Sequence, residues 1–293
     1  MSRVSAQVGA CVVRTRGIGA LATRLTWLVA ALALAASLVG LLVDGIYTGE
    51  ASTAEMFRGY DLVSAVVVVP SLVVASRIAR RGAVRAQLLT LGLLAYLIYT
   101  YAYYLFGTGF NDLFLLHAAV FSTALVVLVL AMSALDVTSL AQRFSPRTAV
   151  RPVAGILGAL AVALGGMWIY YAVDNAVTGQ VPPGSQLVET DTIVHLGMAL
   201  DLTLLVPLYA VAAVLLWRRA PWGYVLAAIA LIAGILHQLS YLVAMPFQVA
   251  ANIPQAVSYD AFEPVIVLLY LIATAVLFRD TRHASTEHTT RTS

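Results

Sequence analysis

The sequence predicts an all-α fold, a polytopic transmembrane helical bundle of about eight spans. Of the 293 residues, 61% are apolar and only 11% are charged, and the mean hydropathy is +0.90. A soluble domain of this size could not hide so much apolar surface in its core. The apolar runs are also continuous and do not alternate with period two, which favours transmembrane helices over a β-barrel.

The spans follow from the lengths of the apolar runs. About 20 apolar residues are enough for a helix to cross the hydrocarbon core of a bilayer. The first run follows a basic lead-in but is longer than the apolar region of a typical signal peptide, so we expect it to be retained. The predicted spans are 25–46, 61–79, 86–107, 112–135, 153–174, 193–217, 223–247 and 262–278.

Arginine predicts the orientation of these spans. All 17 basic residues are arginine, and they fall in alternate loops, with Arg58 as the exception. Loops rich in basic residues stay in the cytoplasm. We therefore expect a multi-pass protein of the plasma (inner) membrane, with its N-terminus and C-terminus both inside.

The two halves of the chain share landmarks that indicate an internal duplication. Residues 43–49 and 173–179 are identical at four of seven positions, and a Val-Pro pair followed by Arg-Arg recurs at Val69-Pro70 and Val206-Pro207. Two parallel repeats would resemble transporters whose sites lie between the halves; the alternative is coincidence. The predicted organisation is a basic cytoplasmic arm at 1–24, a first four-helix repeat at 25–137, a cytoplasmic linker at 138–152, a second repeat at 153–278 and a disordered cytoplasmic tail at 279–293.

Acidic residues gather on the side opposite to arginine. A carboxylate near a helix N-terminus complements the helix dipole, which accounts for Asp61, Asp112, Asp260 and Glu263. Asp44 and Asp174 are different, because they occupy matching positions at the C-terminal ends of their predicted helices, where the dipole is unfavourable. An ionisable group kept at such a place is a candidate for binding a proton, a cation or a substrate amine, although both side chains could also simply reach water.

Asp201 lies 16 residues before Trp217, roughly 24 Å along a helix, in a hydrocarbon core about 30 Å thick. It should therefore lie within the bilayer just beneath the outer surface and need a partner. Tyr99 and Tyr103 belong to an aromatic stripe with Tyr96 and Phe106 at helical spacing. This stripe is typical of the aromatic belt at a membrane interface, or it lines a cavity in which hydroxyl groups position a ligand beside the carboxylates. The candidate residues for substrate or ion binding are Asp44, Asp174, Asp201, Glu263, Tyr99 and Tyr103.

Histidines give a weaker set of candidates for a metal. His117, His195 and His237 fall in or near predicted spans, and Asp191 precedes His195 by one helical turn, which would let the two share a ligand. A b-haem or another metal is therefore conceivable. However, no pair has the spacing of a known metal motif, and single intramembrane histidines usually bond a neighbouring helix. We expect no cofactor.

Two tracts resemble parts of an uncharacterised family of multi-pass bacterial integral membrane proteins. The first runs from Tyr101 to Gly107 and continues from Phe110 to His117, and the second contains Asp201 to Pro207 together with Arg218 to Tyr224. The resemblance implies a bacterial multi-pass membrane protein, and it implies no activity and no site residues. A sequence rich in alanine and valine, with arginine as its only basic residue, would suit a GC-rich bacterium.

Several functions are consistent with the sequence. Sequence signatures of ATP-binding loops, dinucleotide-binding loops, serine hydrolases and zinc proteases do not occur in the chain. A small-solute or ion transporter, with proton coupling as one form, explains the repeats and the acidic side best. The alternatives are a sensor or accessory subunit in the membrane, or a membrane enzyme acting on a lipid or quinone-like substrate. The expected partners are the lipid bilayer and a small solute or proton, without nucleic acid, and the oligomeric state is left open.

Overall fold

The computed structural model describes residues 2–279 and residue 281, with side chains from residue 19 onward. This part of the chain is all-helical and contains no β-strand. Seven helices are long and apolar enough to cross a membrane, and an eighth apolar helix of 16 residues follows them. The predicted fold class, a polytopic helical bundle, is confirmed.

The helices differ from the predicted spans mainly at their ends. The first helix begins at Ser2 and so includes the predicted basic arm, and the second begins ten residues earlier than predicted, at Ala51. The tail predicted at 279–293 lies outside the described residues, apart from Arg279 and Thr281. The seven long helices are α1 (Ser2–Leu42), α2 (Ala51–Ala79), α3 (Val84–Phe106), α4 (Phe114–Ser133), α5 (Val150–Thr178), α6 (Asp191–Trp217) and α7 (Pro221–Ala250), and the shorter apolar helix is α8 (Glu263–Phe278).

Local sequence explains where several of these helices begin and end. Pro221 and Pro264 lie in the first turns of α7 and α8, where a missing N–H costs nothing. The Thr190 hydroxyl caps α6 by accepting a hydrogen bond from the backbone N–H of Ile193. Helix α5 ends at Gly179, which adopts the left-handed conformation with φ of 70° that favours glycine.

The helices form two closed rings of four. In the first ring α1 packs against α2, α2 against α3, α3 against α4 and α4 against α1; α5 to α8 pack in the same cyclic order. A short helix, Val137–Ala141, lies in the linker between the rings. Two four-helix repeats would produce this arrangement, although the duplication itself stays a prediction.

Helix α7 joins the two rings by packing against α2 and α3. Small residues allow this close approach. A Cβ atom added to Gly59 would lie 2.4 Å from the Cα atom of Ala244, and one added to Gly92 would lie 2.5 Å from Ile232. The helices α3 and α7 are consequently the most buried of the spans, as small residues at helix contacts lead one to expect in a membrane.

The helices α2 and α6 share an interruption. Each contains a five-residue π-helical segment, Ser64–Val68 in α2 and Asp201–Leu205 in α6, and each segment is followed directly by Val-Pro. Proline lacks a backbone N–H and its ring crowds the preceding turn, which explains why the regular hydrogen-bond ladder yields there. Such π segments occur frequently at functional sites.

Candidate functional site

The strongest candidate site is centred on Asp201, the first residue of the π segment of α6. The Asp201 side chain is buried, with 9% of the residue exposed. Its Oδ1 atom accepts a hydrogen bond of 2.6 Å from the Tyr99 hydroxyl, and its Oδ2 atom accepts one of 2.8 Å from the indole N–H of Trp168. Since Tyr99 comes from the first ring and the other two residues from the second, the site lies where the two rings meet.

The partners of Asp201 determine where a proton could sit on it. An indole N–H can only donate, so Oδ2 must remain an acceptor beside Trp168. A hydroxyl can both donate and accept, so a proton on Oδ1 could be donated to Tyr99. The Tyr99 hydroxyl would then turn to the hydroxyl of Tyr103, which is 3.4 Å away. The cluster can therefore satisfy Asp201 in both the charged and the neutral form.

A second buried carboxyl group, Asp61, lies inside the first ring. The Asp61 residue is 1% exposed, and it accepts hydrogen bonds from Tyr47 at 2.5 Å and from Tyr104 at 3.0 Å. The Tyr104 hydroxyl is also 3.2 Å from the backbone carbonyl oxygen of Phe57. That carbonyl can accept the hydrogen bond of the Tyr104 hydroxyl if Asp61 becomes a donor to Tyr104. This cluster too can therefore satisfy both forms of its carboxyl group.

Asp61 is a functional candidate that the sequence analysis missed. The prediction placed it at the N-terminus of a helix beginning at 61, where the helix dipole would account for it. That placement is wrong, because α2 begins at Ala51 and Asp61 lies well within it. Asp61 and Asp201 each lie ten residues after the first residue of their helix, which is about 15 Å along the helix axis. Residues 51–60 could have indicated the earlier start of α2, but the charged side chains of Glu55 and Arg58 interrupt the apolar run there.

Asp44 and Asp174 do not meet in the structure. Asp44 lies in the turn after α1 with a side chain that is 92% exposed, and its carboxylate is 3.5 Å from the guanidinium of Arg58. Asp174 lies in the last turns of α5, half-buried, and makes no ion pair within the described part of the chain. Asp44 follows α1 of the first ring and Asp174 belongs to α5 of the second, and among the described residues no ion pair gives the two carboxylates a shared partner.

Glu263 is the first residue of α8, where a carboxylate complements the helix dipole as predicted. It is half-buried, and one of its oxygens accepts a hydrogen bond from the side-chain amide of Gln238 on α7. Glu263 therefore belongs to the contact between α7 and α8, and it does not share hydrogen bonds with the Asp201 cluster.

The tyrosine stripe of α3 faces the protein interior. Tyr96, Tyr99 and Tyr103 are 1% to 6% exposed, whereas Phe106 at the end of the stripe is 61% exposed. Residues of an aromatic belt lie at the lipid-facing interface, so the belt interpretation does not fit these tyrosines. The Tyr96 hydroxyl is 2.6 Å from the hydroxyl of Ser240 on α7, which places the stripe at the contact between the rings.

The metal candidates are dispersed over the fold. Among the described residues, no group of three or more His, Cys, Asp or Glu side chains comes together as a metal site would require. Asp191 and His195 are exposed near the start of α6. His117 is fully buried among aromatic rings, 4.6 Å from that of Tyr104, and neither of its nitrogens has a hydrogen-bond partner within the described part. His237 lies elsewhere, in the lining of a cavity of about 340 Å³ between the rings.

The loop between α5 and α6 covers the arginine-poor end of this region. Its Glu189 carboxylate accepts hydrogen bonds of 2.9 Å from the backbone N–H and the hydroxyl of Ser185. Burial raises the pKa of Glu189 above its ordinary value, and the two Ser185 hydrogen bonds oppose that rise only in part. Gln248 of α7 anchors the loop through hydrogen bonds to the backbone of Val188.

No family model, curated protein or solved structure matches the chain. The candidate site is therefore interpreted from its own residues. It contains two carboxyl groups, each of which accepts hydrogen bonds from two aromatic side chains, at corresponding depths of α2 and α6.

Proposed function

We propose that the protein is a proton-coupled transporter of a small solute or ion, in which Asp201 binds and releases the coupling proton. The observation that carries the proposal is the placement of Asp201 between the two rings, with Tyr99 and Trp168 as its only hydrogen-bond partners in the described part. Ionisable groups inside membrane spans are costly and usually functional. Sites of transporters built from repeats also lie between the repeats.

The π segments support the same proposal. Alternating access requires two parts of the protein to move relative to each other around the bound solute. In α2 and α6 the helical ladder is interrupted next to Asp61 and directly at Asp201. Segments with irregular hydrogen bonds are places where a helix can bend with little loss. Protonation of either carboxyl group would therefore change the hydrogen bonds beside the segment where its helix bends most easily.

We further propose that the arginine-rich end faces the cytoplasm, as the distribution of basic residues predicts. Asp201 then lies about 15 Å inside the outer end of α6. Helix α6 has 27 residues and is about 40 Å long, which exceeds a hydrocarbon core about 30 Å thick, so Asp201 lies in the outer half of that core. A proton would reach Asp201 from the outer side along the Tyr103 and Tyr99 hydroxyls.

The proposal can be tested without knowing the solute. Proteoliposomes on a solid-supported membrane are exposed to a pH step, and the transient current that accompanies proton binding is recorded. We expect a current from the native protein, its loss in Asp201→Asn, and its retention in Asp112→Asn, which alters an exposed carboxylate at the same end. The Asp201→Asn variant should fold, because the asparagine oxygen can accept a hydrogen bond from Trp168 while its NH₂ group donates one to Tyr99.

The same recording compares the buried site with the pair predicted from sequence. The double variant Asp44→Asn with Asp174→Asn should leave the current intact, since Asp44 is exposed to water and paired with Arg58. Loss of the current in the double variant, together with its retention in Asp201→Asn, would move the proton site to the ends of α1 and α5 and contradict the proposal.

A further inference from the structure

A cavity of about 340 Å³ lies between the two rings. Helices α3 and α4 line it from the first ring, and helices α6 and α7 line it from the second. Its walls are almost entirely apolar, and the described lining contains no arginine and no carboxylate. A volume of this size falls within the range of small-molecule sites, which are usually apolar with a few polar groups.

The mouth of the cavity faces the lipid. Leu125 of α4 and Leu204 of α6 line the cavity and are also exposed at 43% and 49% of their surface. Both residues belong to membrane-spanning helices, so their exposed surface contacts hydrocarbon chains. A molecule that enters between them must therefore come from the bilayer interior, which selects an apolar molecule.

The polar groups of the lining select the ligand further. The hydroxyls of Tyr96, Tyr99 and Tyr209 are already paired, with Ser240, Asp201 and Tyr270 respectively. The imidazole of His237 has no hydrogen-bond partner in the described part of the chain, and its ring meets that of Tyr99 edge-on at 4.9 Å. A neutral imidazole can donate one hydrogen bond, so the site offers one free donor in an apolar setting.

We infer that this cavity binds a membrane-soluble, quinone-like molecule whose ring carbonyl accepts a hydrogen bond from His237. A flat ring suits a lining that includes the aromatic side chains of Tyr96, Tyr99 and Tyr209. A phospholipid head group does not suit them, because the lining offers no cation to its phosphate. The inference concerns binding and stands apart from the proposed transport, although Tyr99 joins the cavity to Asp201.

The test measures how decylubiquinone distributes between empty lipid nanodiscs and nanodiscs that contain the protein. The native protein should retain about one molecule per chain above the lipid background. His237→Phe keeps a ring but removes the donor, and it should weaken retention about fivefold to tenfold, as loss of one hydrogen bond does. Decylbenzene, which lacks carbonyl groups, should not distinguish the native protein from His237→Phe.

A second variant tests the mouth without disturbing the core. Leu204→Trp adds a ring at the lipid-facing entrance and should reduce retention by tenfold or more. Val211→Trp is the matched control, since Val211 lies two turns further along α6, is 47% exposed and does not line the cavity. Retention by Val211→Trp should equal that of the native protein.

No retention above background by the native protein would overturn the inference, as would native retention in both His237→Phe and Leu204→Trp. The measurement is made without a pH gradient. Loss of the pH-step current with intact quinone retention, or the reverse, would therefore separate failure of the proposed transport from failure of the cavity assignment.

Discussion

The hydroxyl of Tyr99 donates a hydrogen bond of 2.6 Å to Oδ1 of Asp201. This bond joins α3 of the first ring to α6 of the second inside the membrane. The same tyrosine lines the cavity between the rings and lies 3.4 Å, oxygen to oxygen, from Tyr103. Tyr99 is therefore the residue through which the carboxyl group, the cavity and the tyrosine stripe are connected.

Tyr99→Phe should reduce the pH-step current and lower the thermal stability of the protein. The variant leaves Asp201 with Trp168 as its remaining donor, and loss of a buried hydrogen bond to a carboxylate costs about 1–3 kcal/mol. We expect the current to fall severalfold, while thermal unfolding in detergent shifts to lower temperature. Tyr170→Phe is the control, because Tyr170 is 64% exposed. An unchanged current in Tyr99→Phe would contradict the proposed proton path.

Gly59→Ala should destabilise the contact between α2 and α7. The added Cβ would lie 2.4 Å from the Cα atom of Ala244, so one helix must move. Overpacking of this kind costs about 1–3 kcal/mol. Gly158→Ala is the control, because its Cβ would make an ordinary contact of 3.9 Å with Ala213. Thermal unfolding of both variants measures the difference, and equal stability of the two would argue against the close approach of α2 and α7.

Gln248→Leu should release the loop between α5 and α6. The Gln248 amide donates to the backbone carbonyls of Ser52 and Val188 and accepts from the Val188 N–H, each at 2.9 Å. Removing the amide leaves these backbone groups unpaired, and each buried unpaired group costs about 1–3 kcal/mol of stability. We expect faster hydrogen exchange at Val188 and faster proteolysis within 179–190. Gln180→Leu, at an exposed position of the same loop, should show neither effect.

The same loop should be more stable in acid than at neutral pH. Burial raises the pKa of Glu189 when the loop is closed, so the open loop ionises first as the pH rises past the ordinary value for glutamate. The closed form therefore loses stability from that pH upward, until the pH exceeds the raised pKa. Hydrogen exchange at Ser185, corrected for its intrinsic pH dependence, should show less protection at about pH 7 than at about pH 4.

Glu189→Gln provides the control for this pH dependence. Its side-chain oxygen can still accept from the Ser185 N–H, but it carries no charge in either state of the loop. Protection of Ser185 should then stay level across the same pH range. A fall in protection equal to that of the native protein would assign the effect to another group.

The sequence predicted the fold class, and it singled out some residues of the candidate site. Hydropathy is a local property, and it was sufficient to find all seven long helices and the shorter helix α8, although it did not find where α1 and α2 begin. It placed the start of α2 too late, because Glu55 and Arg58 make its first turns polar. Helix ends that extend beyond the apolar run depend on tertiary packing, as the burial of Met56 and Phe57 shows.

The candidate site could be predicted only where its residues lie on the same helix, because only then does their spacing along the chain show that they are neighbours. Tyr99 and Tyr103 are neighbours on α3, and their relation was visible from their spacing. The bonds from Tyr99 and Trp168 to Asp201 join three helices, and no spacing along the chain encodes them. The helix dipole alone did not explain Asp44, whereas in the structure its side chain is exposed in the turn after α1 beside Arg58, where the dipole matters little.

If Asp201 is the proton site, its carboxyl group must exchange a proton inside the membrane. Infrared difference spectra of the reconstituted protein, recorded as the pH is lowered, detect the carbonyl stretch of a newly protonated carboxyl group. We expect a carboxyl band that is present in the native protein and in Asp112→Asn and is absent in Asp201→Asn. In Tyr99→Phe the band should shift, because Asp201 has lost a hydrogen-bond partner. A spectrum of Asp201→Asn that keeps every carboxyl band of the native protein would contradict the assignment of the proton site to Asp201.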